Sequence, residues 1–250
     1  VAASAAGPLA AAWWHNRHTA LRHALVWAIA AWGAWTLTAV LEAADGRQLA
    51  WRYLALCLTG CAGVAVLGAR RPGVGAWNFV VAGLLVVLLR PLWERPGEFR
   101  IETPPRIFLA VVLAVPLINY LPTRLAPAAL LLAAGCVLEA LPMLGWPMDG
   151  YAEGVGAGIV GVAAWVGWVA VRRSGVGTFD RLWLGYRDRY GLLWGHRIRE
   201  QFNHAARNAG RPVTLTWTGL RPADAESPET LATLRAVLMR FAERTDDVSV

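Results

Sequence analysis

Lysine is absent from this chain, so all 24 residues of its Lys/Arg total are arginine. Charge of either sign is scarce, at 16% of 250 residues, against the ~25% usual in a soluble domain. Cysteine is nearly absent too. Cys57, Cys61 and Cys136 all fall in apolar runs, where a thiol behaves as a small hydrophobe. That excludes a disulfide framework, and the lack of a Cys-x-x-Cys pair removes the usual redox motif. The chemistry of common enzymes is missing as well. There is no Ser elbow, no His-Glu-x-x-His and no phosphate loop. Gly154-x-Gly156-x-Gly158 precedes no Lys-Ser/Thr and opens an apolar run instead. No catalytic residue and no metal site can be named. The first twelve residues have no basic n-region, so no secretory signal is expected there.

What the chain has is hydrophobic length. Apolar residues make up 56% of it, and mean hydropathy is positive at +0.41. Crossing ~30 Å of hydrocarbon takes about 20 residues at ~1.5 Å each. Six stretches approach that length: Ala24–Leu41, Tyr53–Ala69, Val74–Leu89, Ile107–Leu121, Leu125–Leu138 and Gly154–Val171. The fold class is therefore an all-α polytopic membrane protein with about six transmembrane helices and a small cytoplasmic helix–strand–helix tail. Residues 1–19 form an N-terminal interfacial segment, residues 20–172 the bundle and residues 173–250 the tail.

The spans carry their own punctuation. Arg70–Arg71–Pro72–Gly73 ends the second and Arg90–Pro91 ends the third, since proline cannot continue a helix and glycine closes one. Pro116 should kink the fourth. The fifth meets Glu139 and Pro142 early. If it fails to cross, there are five spans and the termini lie on opposite sides. In the sixth, Gly154, Ala157, Gly158 and Gly161 form the small-residue rows that let helices approach in lipid.

Net charge is +7, which in a soluble protein would suggest nucleic acid. In a membrane protein it reads as the positive-inside bias and attraction to anionic lipid. Arg17, Arg22, Arg70, Arg71, Arg124, Arg172, Arg173 and the tail lie on one side of a six-span chain, placing both termini in the cytoplasm. Arg47, Arg52 and the four arginines of the 90–106 connection lie on the other. The composition fits a bacterial cytoplasmic membrane.

The tail opens with an amphipathic helix, residues 178–209. Phe179, Leu182, Trp183, Tyr186, Tyr190, Leu193, Trp194, Ile198, Phe202 and Ala205 make a stripe at helical spacing. Arg181, Arg187, Arg189, Arg199 and Arg207 are assigned to the other face. Thr178 serves as its N-cap and Gly210 as its C-terminal stop. Such a helix either lies on the anionic inner leaflet or forms the core of a small tail domain. Gly185, Gly191 and Gly195 each weaken it by about 1 kcal/mol relative to Ala, so it needs a packed partner. A strand at residues 213–217 and a helix at 228–243 follow, the latter opened by Ser227–Pro228–Glu229. One strand cannot pair alone. It requires a second copy, another subunit or a strand not evident in the sequence.

Two constellations compete for function. Trp183, Tyr186, Arg187, Tyr190, Trp194 and Arg197 suit docking to a partner protein or to lipid. Glu139, with Asn119, Asp149 and Glu153, is the polar group in the membrane that could serve a substrate or ion, because intramembrane carboxylates are costly. The first points to a non-enzymatic membrane subunit or scaffold and the second to a small transporter or permease. Asn78 is expected to hydrogen-bond between helices. Trp32–Gly33–Ala34–Trp35 resembles the opening of the Trp-rich haem-handling motif of the cytochrome c maturation proteins. The further Trp–Asp is missing, however, and no histidine lies within a span to ligate haem. No cofactor is expected. The partners are the lipid bilayer and either a protein or a second copy of the chain, but not nucleic acid.

Overall fold

The computed structural model describes residues 6–41, 48–69, 74–94, 101–146, 150–172 and 177–241. It is mostly α-helical. In chain order come α1 (Ala6–Asn16), α2 (Arg22–Leu41), α3 (Gln48–Leu67), α4 (Val74–Glu94), α5 (Thr103–Tyr120) and α6 (Ala126–Ala140). A short 3-10 turn, Pro142–Leu144, precedes α7 (Gly150–Arg172). The tail holds α8 (Thr178–Asn208), β1 (Thr214–Leu215), β2 (Leu220–Arg221) and α9 (Pro228–Phe241).

Among the described residues, four helical stretches are long and apolar enough to cross a membrane: Gln48–Leu67, Gly75–Glu94, Thr103–Tyr120 and Gly154–Arg172. The chain is a multi-pass membrane protein, with four such stretches rather than the six expected. The fifth expected span is the clearest departure. Helix α6 has 15 residues, or about 22 Å at 1.5 Å per residue, short of the ~30 Å core. Helix α2, with 20 residues, is the other expected span outside that set.

Packing explains the helix order. Helix α2 lies along α3, and α6 along α7. Close approach depends on glycine, though not on all those in the expected rows. Gly154 and Gly158 face open space, whereas a Cβ on Gly156 would lie 2.5 Å from Glu139 Oε1. A Cβ on Gly135 of α6 would lie 2.9 Å from the Gly156 carbonyl oxygen. Pro116 sits inside α5 as expected, and Gly63 of α3 accepts its ring, since a Cβ there would lie 2.5 Å from Pro116 Cγ. Helix α4 passes through Pro91 instead of ending at it. The extra turn carries an Arg90–Glu94 ion pair at 2.6 Å. Trp27 donates to Asn78 Oδ1 at 2.7 Å, joining α2 to α4.

Helix α8 is not one continuous rod. At Gly191 the backbone turns to φ 77°, ψ −163°. Phe179 and Phe202 would be about 34 Å apart along a continuous helix, yet their rings meet edge to face with centroids 5.5 Å apart. The helix is therefore a hairpin, with arms 178–190 and 192–208 folded back about Gly191. The aromatic stripe is buried between the arms and against α9 and the β-hairpin. Phe179, Trp183, Tyr190, Ile198 and Phe202 are each at most 1% exposed.

The unpaired strand is resolved by β2, which pairs with β1 antiparallel in the register Thr214↔Arg221 and Leu215↔Leu220. The other edge of β1 is closed by a side chain. Asn203 accepts from Leu215 N at 2.6 Å and donates to Leu215 O at 3.0 Å. Helix α9 starts as its sequence predicts, with Ser227 Oγ accepting from Thr230 N at 3.2 Å. A hydrogen bond with Ser227 holds the Glu229 carboxyl below its ordinary pKa.

Candidate functional site

Two polar assemblies stand out, at opposite ends of the bundle. The first joins the tail to the ends of the spans. The reversal at Gly191 interrupts the ladder of α8, so carbonyls before it and N–H groups after it need other partners. Helix α5 supplies them from its last turn. Asn119 donates Nδ2 to the Tyr190 carbonyl at 3.3 Å and accepts from Leu193 N at 3.1 Å. Tyr120 donates its hydroxyl to the Arg189 carbonyl at 3.1 Å. Asn119 is 4% exposed, so these bonds form away from water, where an unmade one would cost about 1–3 kcal/mol.

Charge reinforces the same joint. Asp188 accepts from Arg187 Nη2 at 2.6 Å and Nε at 2.9 Å. It also accepts from the backbone N of Arg124 at 3.3 Å and lies 3.8 Å from Arg124 Nε. Arg187, only 4% exposed, spends its remaining reach on the Trp217 carbonyl at 2.8 Å. Trp217 in turn donates its indole N–H to the Pro122 carbonyl. Trp194 donates to the Leu67 carbonyl at the end of α3, at 3.1 Å. The tail is thus bonded to the ends of α3 and α5 and to the turn that follows α5.

The second assembly is an ion pair inside the bundle. Arg52 Nε lies 3.6 Å from Glu139 Oε2, and the two side chains are 1% and 2% exposed. Arg52 is in the second turn of α3 and Glu139 is the penultimate residue of α6. Beside them Tyr53, itself fully buried, donates to the Leu88 carbonyl of α4 at 2.6 Å. Glu139 fits against α7 only because Gly156 lacks a side chain.

These positions rearrange the residues singled out from sequence. Asn119 and Glu139 do not converge. Helix α6 separates them by about 20 Å along its axis, and each is engaged elsewhere, Asn119 with the backbone of α8 and Glu139 with Arg52. Asp149 lies outside the described residues, as does the side chain of Glu153, whose backbone belongs to the first turn of α7. Of the docking set, Trp183, Tyr186, Arg187, Tyr190 and Trp194 are buried within the chain, and Arg197 is exposed. Arg197 stands over the Trp194 ring, 5.7 Å from its centroid. Sequence reading missed Arg52 by placing it just outside the second span, and it did not single out Asp188. Among the described residues, no group of three His, Cys, Asp or Glu is arranged to hold a metal ion. Trp35 of the tryptophan run donates to Thr59 Oγ1 at 3.0 Å within the bundle.

Compared with known proteins, the chain matches no family model, and no curated protein and no solved structure is significantly similar to it.

Proposed function

We propose that this chain is a non-enzymatic integral membrane subunit, a scaffold that holds its tail hairpin in a fixed pose at the cytoplasmic face for a partner protein to bind. The observation that carries this reading is the clamp of Asn119 and Tyr120 on the broken helix α8. A tail tethered only by a linker would need no buried bonds to the span ends. In this reading α2 and α6 also cross or enter the bilayer, giving six passes in a bacterial cytoplasmic membrane with both termini inside. Burial of Arg52 against Glu139 takes one arginine out of the opposing side's loops, which eases the charge bias toward that orientation.

The docking surface is the exposed polar side of the hairpin rather than the aromatic stripe. Arg181 on the first arm and Arg207 on the second are both exposed. The transport reading gains nothing comparable, because the carboxylate it needs is already neutralised by Arg52.

The test is purification of tagged protein from its native membrane in mild detergent, followed by mass spectrometry. Wild type is compared with Arg181→Glu/Arg207→Glu. A stoichiometric partner retained by wild type and lost from the variant is expected. A homo-oligomer of unchanged composition in both would overturn the scaffold reading.

A further inference from the structure

The apex of the α8 hairpin carries an apolar pair with no place in the tail's core. Leu192 and Leu193 are 37% and 49% exposed, on a helix whose other large apolar side chains are buried. Their depth is fixed. The backbone N–H of Leu193 is bonded to Asn119 in the last turn of span α5, so both leucines sit at the level where that span ends. Leu121, the residue following α5, is 42% exposed at the same level. Arginine flanks this patch. Arg197 is exposed one turn along the second arm, and Arg189, half-buried, is the last residue but one of the first arm. On α7, whose end lies at the same bundle face, Arg172 stacks over Trp168 at 3.5 Å, an aromatic–basic pairing suited to the headgroup layer.

We propose that the hairpin apex is a seat for anionic phospholipid. Leu192 and Leu193 enter the boundary between headgroups and acyl chains, and Arg189 and Arg197 meet the headgroup phosphates. Charge complementarity selects the occupant. Two exposed leucines beside two arginines, at the end of a membrane span, meet both needs of an interfacial anchor at once. The lipid contact therefore falls at the break of the helix and not along the aromatic stripe. The seat is independent of any protein partner, which would use the arms.

The test uses full-length protein in nanodiscs of phosphatidylcholine alone or mixed with phosphatidylglycerol. The described cysteines are buried, so a spin label can be placed at Leu193→Cys and, as a control further along the arm, at Glu200→Cys. The Leu193 label is expected to show the oxygen accessibility of the bilayer interface, and the Glu200 label that of water. Native mass spectrometry then counts retained lipid. Wild type is expected to prefer phosphatidylglycerol, and Arg197→Gln to lose about fivefold of that preference, as one arginine near an anionic surface contributes. An aqueous signal at Leu193, or lipid retention unchanged in Arg197→Gln, would overturn the proposal. Because the partner test rests on Arg181 and Arg207, either idea can fail while the other stands.

Discussion

Asn119 and Gly191 fit together only because Gly191 has no side chain. A Cβ on Gly191 would lie 2.5 Å from Cγ of Asn119, and the φ of 77° is one that residues with a Cβ rarely adopt. Gly191→Ala should therefore strain the backbone by about 1–3 kcal/mol and push the tail off the bundle. Gly185 faces open space in helical conformation, so Gly185→Ala should be neutral or stabilising by up to ~1 kcal/mol. Limited proteolysis of the tail in detergent checks both. Faster cleavage in the first variant alone is expected, and equal behaviour would remove the clamp from the account.

The Arg52–Glu139 pair predicts a non-additive cycle. Removing one partner, as Glu139→Leu or Arg52→Met, leaves a buried charge uncompensated and should destabilise the bundle by about 3–5 kcal/mol. The double variant should recover most of that loss, since an apolar pair of similar volume needs no charge compensation. Unfolding in mixed micelles measures it. Strictly additive losses would mean that the two side chains do not depend on each other.

Asp188 predicts a different failure. Asp188→Ala strands the buried Arg187 guanidinium and takes an acceptor from Arg124, so the tail joint should weaken by about 3–5 kcal/mol while the Arg52–Glu139 end is untouched. Hydrogen exchange reads the two ends separately. Accelerated exchange confined to residues around 187–194 and 217 is expected, and acceleration spread over α3 and α6 would contradict a local joint.

How much of this was legible in the sequence depended on the physical signal each feature leaves. The start of α9 at Ser227 and Pro228 was readable because capping is local chemistry. The cap expected at Thr178 falls one residue earlier, at Gly177, which has no capping side chain. The N–H of Phe179 donates instead to the distant Glu226 carboxylate at 3.1 Å. The stripe from Phe179 to Phe202 was readable because its period is helical. Its fold-back was not, since periodicity carries no trace of one residue at positive φ, and Gly191 showed only as a weakness in a helix. The partner of Glu139 was hidden for a related reason. Arg52 stands near a span end where arginine is ordinary, and only the packing of α3 on α6 brings the two together. Strand β2 is two residues long, too short for alternation to register.

The most direct measurement is the distance between spin labels at Arg181→Cys and Glu200→Cys, both exposed positions on opposite arms of α8. The protein is held in nanodiscs and the distance is read by pulsed electron spin resonance. A hairpin about Gly191 predicts a separation far shorter than the ~29 Å that nineteen helical residues span. A distribution centred near ~29 Å would mean one continuous helix, and would contradict the clamped hairpin on which the account depends.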